Sequence, residues 1–166
     1  MRVLGDYPVY INKCAKILAL IPMGYSSHRA RQTQGEWYDS TVVMRGVRQL
    51  HDLVGDDSMR RIGREIIMLV SRIEQEVLND LGVNSSESCL LALPKFYARY
   101  HEGCGSLSVK QIGEREFTVD DDTPYPESLN AGLIEGAVRE FGGLHVKIAA
   151  ESDGNNKRRY NVSWGV

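Results

Sequence analysis

At about residue 105 the spacing of apolar residues changes from three or four to two, and that change narrows the possible folds sharply. Before it, Met59, Ile62, Ile66, Val70, Ile73, Val77 and Leu81 line one face of a helix spanning 58–81. After it, Leu107 and Val109 alternate with polar residues, Gly113 marks a turn, and Phe117 and Val119 resume the alternation as a hairpin. A second hairpin follows, with Leu144, Val146, Ile148 and Ala150 on one strand and Tyr160, Val162 and Trp164 on its partner. Its turn is SDGNN. Between the hairpins, LNAGLIEGAVREFGG reads as a helix over 127–141, opened by Pro126 and closed by Gly142-Gly143. Two hairpins joined through one helix predict an α/β (α+β) fold. Its four-stranded antiparallel sheet would carry helices on a single face.

The first half supplies those helices. Val9, Cys14, Ile17, Leu18 and Ile21 predict a helix over 8–21, preceded by a short extended piece and followed by the polar loop SSHRARQTQG. Val43, Val47, Leu50 and Val54 give a second, ended by Gly55-Asp56-Asp57 before the long helix begins. In NSSESCLLALPKFYARYHEG, Asn84 and Glu87 have capping-box spacing, and Leu90, Leu91, Leu93, Phe96, Tyr97 and Tyr100 cover more than half the circumference. That helix is expected to touch neighbours on two sides. Pro94 is expected to kink it, leaving a gap above the sheet.

With 166 residues, one domain is expected over 1–166, divided into an N-terminal helix and loop (1–35) and a core (36–166). Twenty basic residues stand against 22 acidic ones, so charge gives no case for nucleic acid. No apolar run approaches the ~20 residues of a membrane span. Three widely spaced cysteines (Cys14, Cys89, Cys104) do not form a disulfide framework, and a cytoplasmic location is expected. Gly132 and Gly136 each cost a helix about 0.8–1 kcal/mol relative to Ala. They are read as close-packing positions that bring the helix down onto the sheet.

Taken in order, the strings Trp37-Tyr38, Ile62-Gly63-Arg64, Leu93-Pro94-Lys95-Phe96-Tyr97, Ala131-Gly132-Leu133-Ile134-Glu135-Gly136 and Val162-Ser163-Trp164 resemble an uncharacterised paralogous family abundant in myxobacteria. That family belongs to the superfamily of the 4-vinyl reductase domain, the haem–nitric-oxide-binding domain and the TRAPP tethering subunits. The resemblance covers roughly 36–165. It implies helices curled over one face of a four-stranded sheet, around an apolar pocket that in related modules receives haem, aromatic effectors or a fatty-acyl chain.

Haem would need a histidine facing that pocket from the helix before the sheet, but the only one there, His101, falls at its end. The relatives' Tyr-x-Ser-x-Arg propionate clamp is not found at the required place. For zinc, His101 and Cys104 form a His-x-x-Cys pair, two ligands where a structural site takes four. No cofactor is therefore expected. No catalytic motif is recognisable, so an enzyme is not expected. The run Asp120-Asp121-Asp122 reads as a solvated turn, and Glu135, about 100° around the helix from either glycine, as a solvent-facing residue. The ligand-lining candidates are Trp37, Tyr38, Phe96, Tyr97, Tyr100 and Trp164, each of which also has a plain reading as core. Together they predict a stand-alone sensory or regulatory module for a small hydrophobic or aromatic ligand, acting through a downstream signalling protein or a homodimer. The alternatives are an interaction module with a packed core and a haem-based gas sensor.

Overall fold

The computed structural model describes residues 1–18, 35–152 and 157–165. The loop SSHRARQTQG up to its final glycine, the end of the predicted first helix and most of the SDGNN turn lie outside the described residues.

A short strand, β1 (Arg2–Leu4), leads into helix α1 (Asp6–Ile17). Tyr7, Tyr10, Ile11 and Cys14 recur at helical spacing, and all four are buried. The helix begins two residues earlier than predicted because a proline, here Pro8, is tolerated in a first turn. Strand β2 (Trp37–Asp39) holds the tryptophan expected at the head of a helix. Asp39 then caps α2 (Ser40–Ile73) by accepting from the Thr41 amide at 2.8 Å. Within α2, Gly55 has φ 76° and ψ 173°, so two helical halves meet there, as Gly55-Asp56-Asp57 predicts. His51 Nε2 and Asp56 Oδ1 bridge the break at 2.9 Å. The predicted long helix stops short. Glu74 leaves helical geometry, its carboxylate accepting from the Tyr10 hydroxyl, and a separate α3 (Gln75–Asp80) follows.

Helix α4 (Ser86–Tyr100) is capped by Ser85 and Ser88 acting reciprocally, rather than by Asn84 and Glu87. It runs through Pro94 as one helix, and the proline sits on the half-exposed face. Strand β3 (His101–Glu102) completes a small sheet of order β2-β1-β3, which the sequence did not announce. Next come β4 (Leu107–Gly113), β5 (Glu116–Asp121), α5 (Glu127–Glu140), β6 (Leu144–Ser152) and β7 (Arg158–Gly165). The strands form the predicted four-stranded antiparallel sheet in the order β4-β5-β7-β6, with Phe117 opposite Val162 and Val119 opposite Tyr160.

Two apolar clusters hold the layers together. One lies between the sheet and helices α4 and α5 and includes Leu90, Leu93, Phe117, Val119, Ile134, Val138, Tyr160 and Val162. The other joins α1, both halves of α2 and the end of α4 through Ile11, Leu50, Met59, Ile62, Phe96, Tyr97 and Tyr100. Helix α4 therefore contributes to both, as its wide apolar face requires.

The glycine pair acts differently from the prediction. Helix α5 presses its glycines against α2, not against the sheet. A Cβ on Gly132 would lie 2.1 Å from the Arg60 carbonyl oxygen, one on Gly136 2.9 Å from that of Arg64, and one on Gly63 2.3 Å from that of Leu129. All three contacts are with backbone, so only glycine fits there. Glu135, expected to face solvent, is 3% exposed. The crossing brings it between Arg60 (2.9 Å), Arg64 (3.1 Å) and Arg139 (2.9 Å). Burial pushes its carboxyl pKa up, but the three guanidiniums outweigh that and hold it below the ordinary range.

Candidate functional site

The aromatic residues of the cluster that joins α1, α2 and α4 form a cage at the junction of α1, α4 and the loop before α5. His101 is buried, its ring stacked on Tyr97 at 3.8 Å and edge-on to Tyr7 at 4.7 Å. Its Nδ1 lies 2.8 Å from the Tyr97 carbonyl, which can only accept, so Nδ1 carries the proton. Nε2 then accepts from the Tyr125 hydroxyl at 2.8 Å. Burial drives the His101 pKa down to about 4, keeping the ring neutral. The Tyr97 hydroxyl donates to the Cys104 carbonyl at 2.6 Å. Tyr100 packs on Phe96 at 5.0 Å, and its buried hydroxyl, close to Glu74 and Arg99, makes no well-formed hydrogen bond among the described residues.

The cage is anchored to the sheet by a buried polar network. Asp121, 2% exposed, accepts from the Thr123 amide (2.8 Å) and the Asn130 side chain (2.7 Å), and pairs with Arg158 at 2.9 Å. Arg158 also donates to the carbonyls of Tyr125 (2.6 Å) and Thr123 (2.7 Å). Strand β7 thus fixes the loop that presents Tyr125 to His101. The Asp120–Asp122 run is consequently not the solvated turn expected of it. Asp120 pairs with Arg159 across the sheet at 2.6 Å, and Asp122 accepts from the Ser106 amide. A β-strand alternates its sides, so Asp120 and Asp121 at the end of β5 face opposite ways, and Asp122 lies just past the strand.

Outside the cage, a groove of about 490 Å³ opens between the start of α2 and the two loops that flank the β4–β5 hairpin. Thr41, Arg45, Arg48 and Gln49 line it from the helix, where positions three and four apart share a face. Cys104-Gly105 and Asp122-Thr123-Pro124 form the facing wall, and Met1 and Met44 add apolar surface. Gly105 has φ +80°, and a Cβ there would lie 2.4 Å from the Asp122 carbonyl oxygen, so this wall is tightly fitted. Hydrophobic periodicity could not reveal the groove, because its residues come from four separate segments.

Of the six lining candidates, Phe96, Tyr97 and Tyr100 come together in the cage, with Tyr38 packed at the margin of the same cluster. The other two do not join them. Trp164 stacks on Phe117 at 5.5 Å in the sheet cluster, because its strand register directs it there. Trp37 is 37% exposed, beneath the Arg2 guanidinium. The gap expected between α4 and the sheet is filled. Leu90 and Leu93 of α4 pack directly on Phe117, Val119, Tyr160 and Val162 there, and the small void of about 10 Å³ beside Cys89, Leu93 and Phe96 lies on the side of α4 that faces Val70, Leu78 and Leu81, barely room for one water. His101 and Cys104 do not converge on a metal position, since the Cys104 thiol is turned toward the carbonyls of Arg2 and Glu102. Among the described residues no group of three or more ligand side chains could hold a metal ion. Cys14 and Cys89 are buried thiols whose pKa is pushed up to about 12, chiefly by burial. No described helix is long and apolar enough to cross a membrane.

No family model matches the sequence, and no curated protein does. The fold does match solved structures. A mutant H-NOX protein from K. algicida, described as Fe(II) unliganded, aligns with a TM-score of 0.69 at 11% identity, covering 100% of this chain and 97% of that one. A mutant H-NOX from T. Tengcongensis gives 0.65 at 14% identity, covering 98% and 97%. An oxygen-binding H-NOX domain related to soluble guanylate cyclases, solved as its oxygen complex, gives 0.60 at 16%, covering 97% and 94%. The architecture is therefore that of the H-NOX fold.

These matches correct the expectation that no cofactor belongs with this chain, since structures of the same fold are described in an Fe(II) state and as an oxygen complex. An iron tetrapyrrole needs a protein ligand and a slot in the ordinary ligand-pocket range, about 300–1,000 Å³. In the arrangement described, both ring nitrogens of His101 are taken up by Tyr97 and Tyr125, and the space between α4 and the sheet is filled by Leu90, Leu93, Phe117 and Val119. As packed here, the core does not fit such a group.

Proposed function

We propose that this chain is a sensory or regulatory module, in which a small apolar or aromatic ligand binds beside the aromatic cage and the change is reported to a partner protein or a second copy of the chain. The observation that carries the reading is the groove of about 490 Å³, which is of ligand-binding size and has one wall fixed by the buried Asp121–Arg158 network. The other wall belongs to the half of α2 that precedes Gly55, so occupancy bears on a helix segment joined to the core through a positive-φ glycine. The ligand-sensing relatives of the fold support the same reading by analogy. Membership of the superfamily named above is part of the proposal. It is supported by the meeting of Gly63-Arg64 with Gly132–Gly136 at one helix crossing.

A second reading, a protein-interaction module with a packed core, is favoured by the filled space between α4 and the sheet. The two are separated by a thermal-shift screen of the full chain against small aromatic and aliphatic compounds. Saturable stabilisation that follows the binding isotherm supports the sensor. A flat response across the screen, together with capture of a stable protein partner, leaves the interaction module.

A further inference from the structure

The groove's helical wall carries two cations with no assigned work. Arg45 and Arg48 are exposed, lie three apart on one face of α2, and make no ion pair among the described residues. By contrast Arg60, Arg64, Arg139, Arg158 and Arg159 all hold carboxylates. The acid across the groove, Asp122, is occupied by the Ser106 amide and belongs to the facing loop. The rest of the lining is apolar or neutral: Met1, Met44, Cys104 and Pro124. A cationic edge on an apolar trough is complementary to an amphipathic anion.

Resting on the sensor reading above, we propose that the groove binds a small organic monoanion. A carboxylate or sulfonate meets Arg45 and Arg48, and an aromatic or aliphatic body lies along Met44 and Pro124. The fork geometry of arginine suits a planar carboxylate, and two guanidiniums one helical turn apart reach a single anionic head. The thiol of Cys104 is turned away toward backbone carbonyls, so the groove presents a non-covalent surface.

The test uses the full chain with two fluorescent probes of similar shape, anionic 1-anilinonaphthalene-8-sulfonate and neutral N-phenyl-1-naphthylamine. The proposal expects saturable binding of the anionic dye, competition by 1-naphthoate, and at least about tenfold weaker binding by the Arg45→Gln/Arg48→Gln double variant, which removes both charge-assisted contacts. Both residues are exposed, so the variant should keep the parent's denaturation midpoint. Lys110→Gln, on the outer face of the sheet, should bind as the parent does. Anionic-dye binding unchanged in the double variant overturns the proposal. Preference for the neutral probe, with no competition by 1-naphthoate, overturns the anionic chemistry but leaves the sensor reading intact. No binding of either probe, with a flat ligand screen, removes both.

Discussion

Replacing Gly132 by alanine exposes what the α2–α5 crossing requires. In an isolated helix this exchange gains about 0.8–1 kcal/mol. Here the new methyl would lie 2.1 Å from the Arg60 carbonyl oxygen and 3.0 Å from the Arg60 Cα. Carbon contacts normally settle at about 3.5–4.0 Å, so the helices must separate by more than an ångström. Overpacking by one methyl costs about 1–3 kcal/mol, and a backbone obstacle that cannot rotate away places this case at or above the upper end. Subtracting the propensity gain leaves a net loss of about 2 kcal/mol, or about 4–8 °C in Tm for a chain of this size. Gly46 is the internal control. It too lies within α2, but a Cβ there meets nothing within 4 Å. Gly46→Ala should therefore raise Tm by about 2–4 °C. Urea denaturation and calorimetry of both variants measure the two shifts. If Gly132→Ala proves neutral or stabilising, the close-packed crossing is wrong.

Asp121→Ala should cost about 3–5 kcal/mol in urea titrations, because it strands Arg158 in a buried position; a loss below 1 kcal/mol would contradict the network. Between pH 6.5 and 4 the unfolded chain takes up a proton at His101 that the native ring resists. The histidine's contribution is thus complete above about 6.5 and is lost as pH falls to about 4, roughly 3 kcal/mol in all. His101→Gln should flatten that slope in Tm measured against pH, and an unchanged slope would place the titration elsewhere. Tyr100→Phe removes a buried hydroxyl that makes no well-formed hydrogen bond among the described residues and should be close to neutral. Tyr97→Phe, losing its bond to Cys104, should cost about 1 kcal/mol, and chemical denaturation of the pair would expose the wrong sign.

The sheet was legible because two-residue alternation survives burial on one face, and Phe117, Val119, Tyr160 and Val162 all follow it. The break at Gly55 was equally readable, since glycine alone enters its positive φ without strain, whereas the earlier stop at Glu74 left no such mark. Side-chain partners across long sequence separations were much harder to read. The pairing of Glu135 with Arg60 and Arg64 requires knowing that α5 crosses α2, and a single-helix projection places that acid in water. Asp121 looks like its two neighbours until the strand turns it inward beside Arg158. The aromatic helix was read correctly as two-sided. The cavity inferred from Pro94 was not found, because one missing backbone bond does not lift α4 from the sheet while Leu90 and Leu93 stay buried against it. Arg45 and Arg48 carried no signal of their own, and only the facing loops make them part of a site.

Amide chemical-shift mapping of the labelled protein during titration with 1-naphthoate tests the ligand groove most directly. Saturable shifts confined to residues 40–49, 104–105 and 122–124 are predicted. Shifts centred on the amides of Phe96, Tyr97 and Tyr100, or none at millimolar ligand, would contradict it.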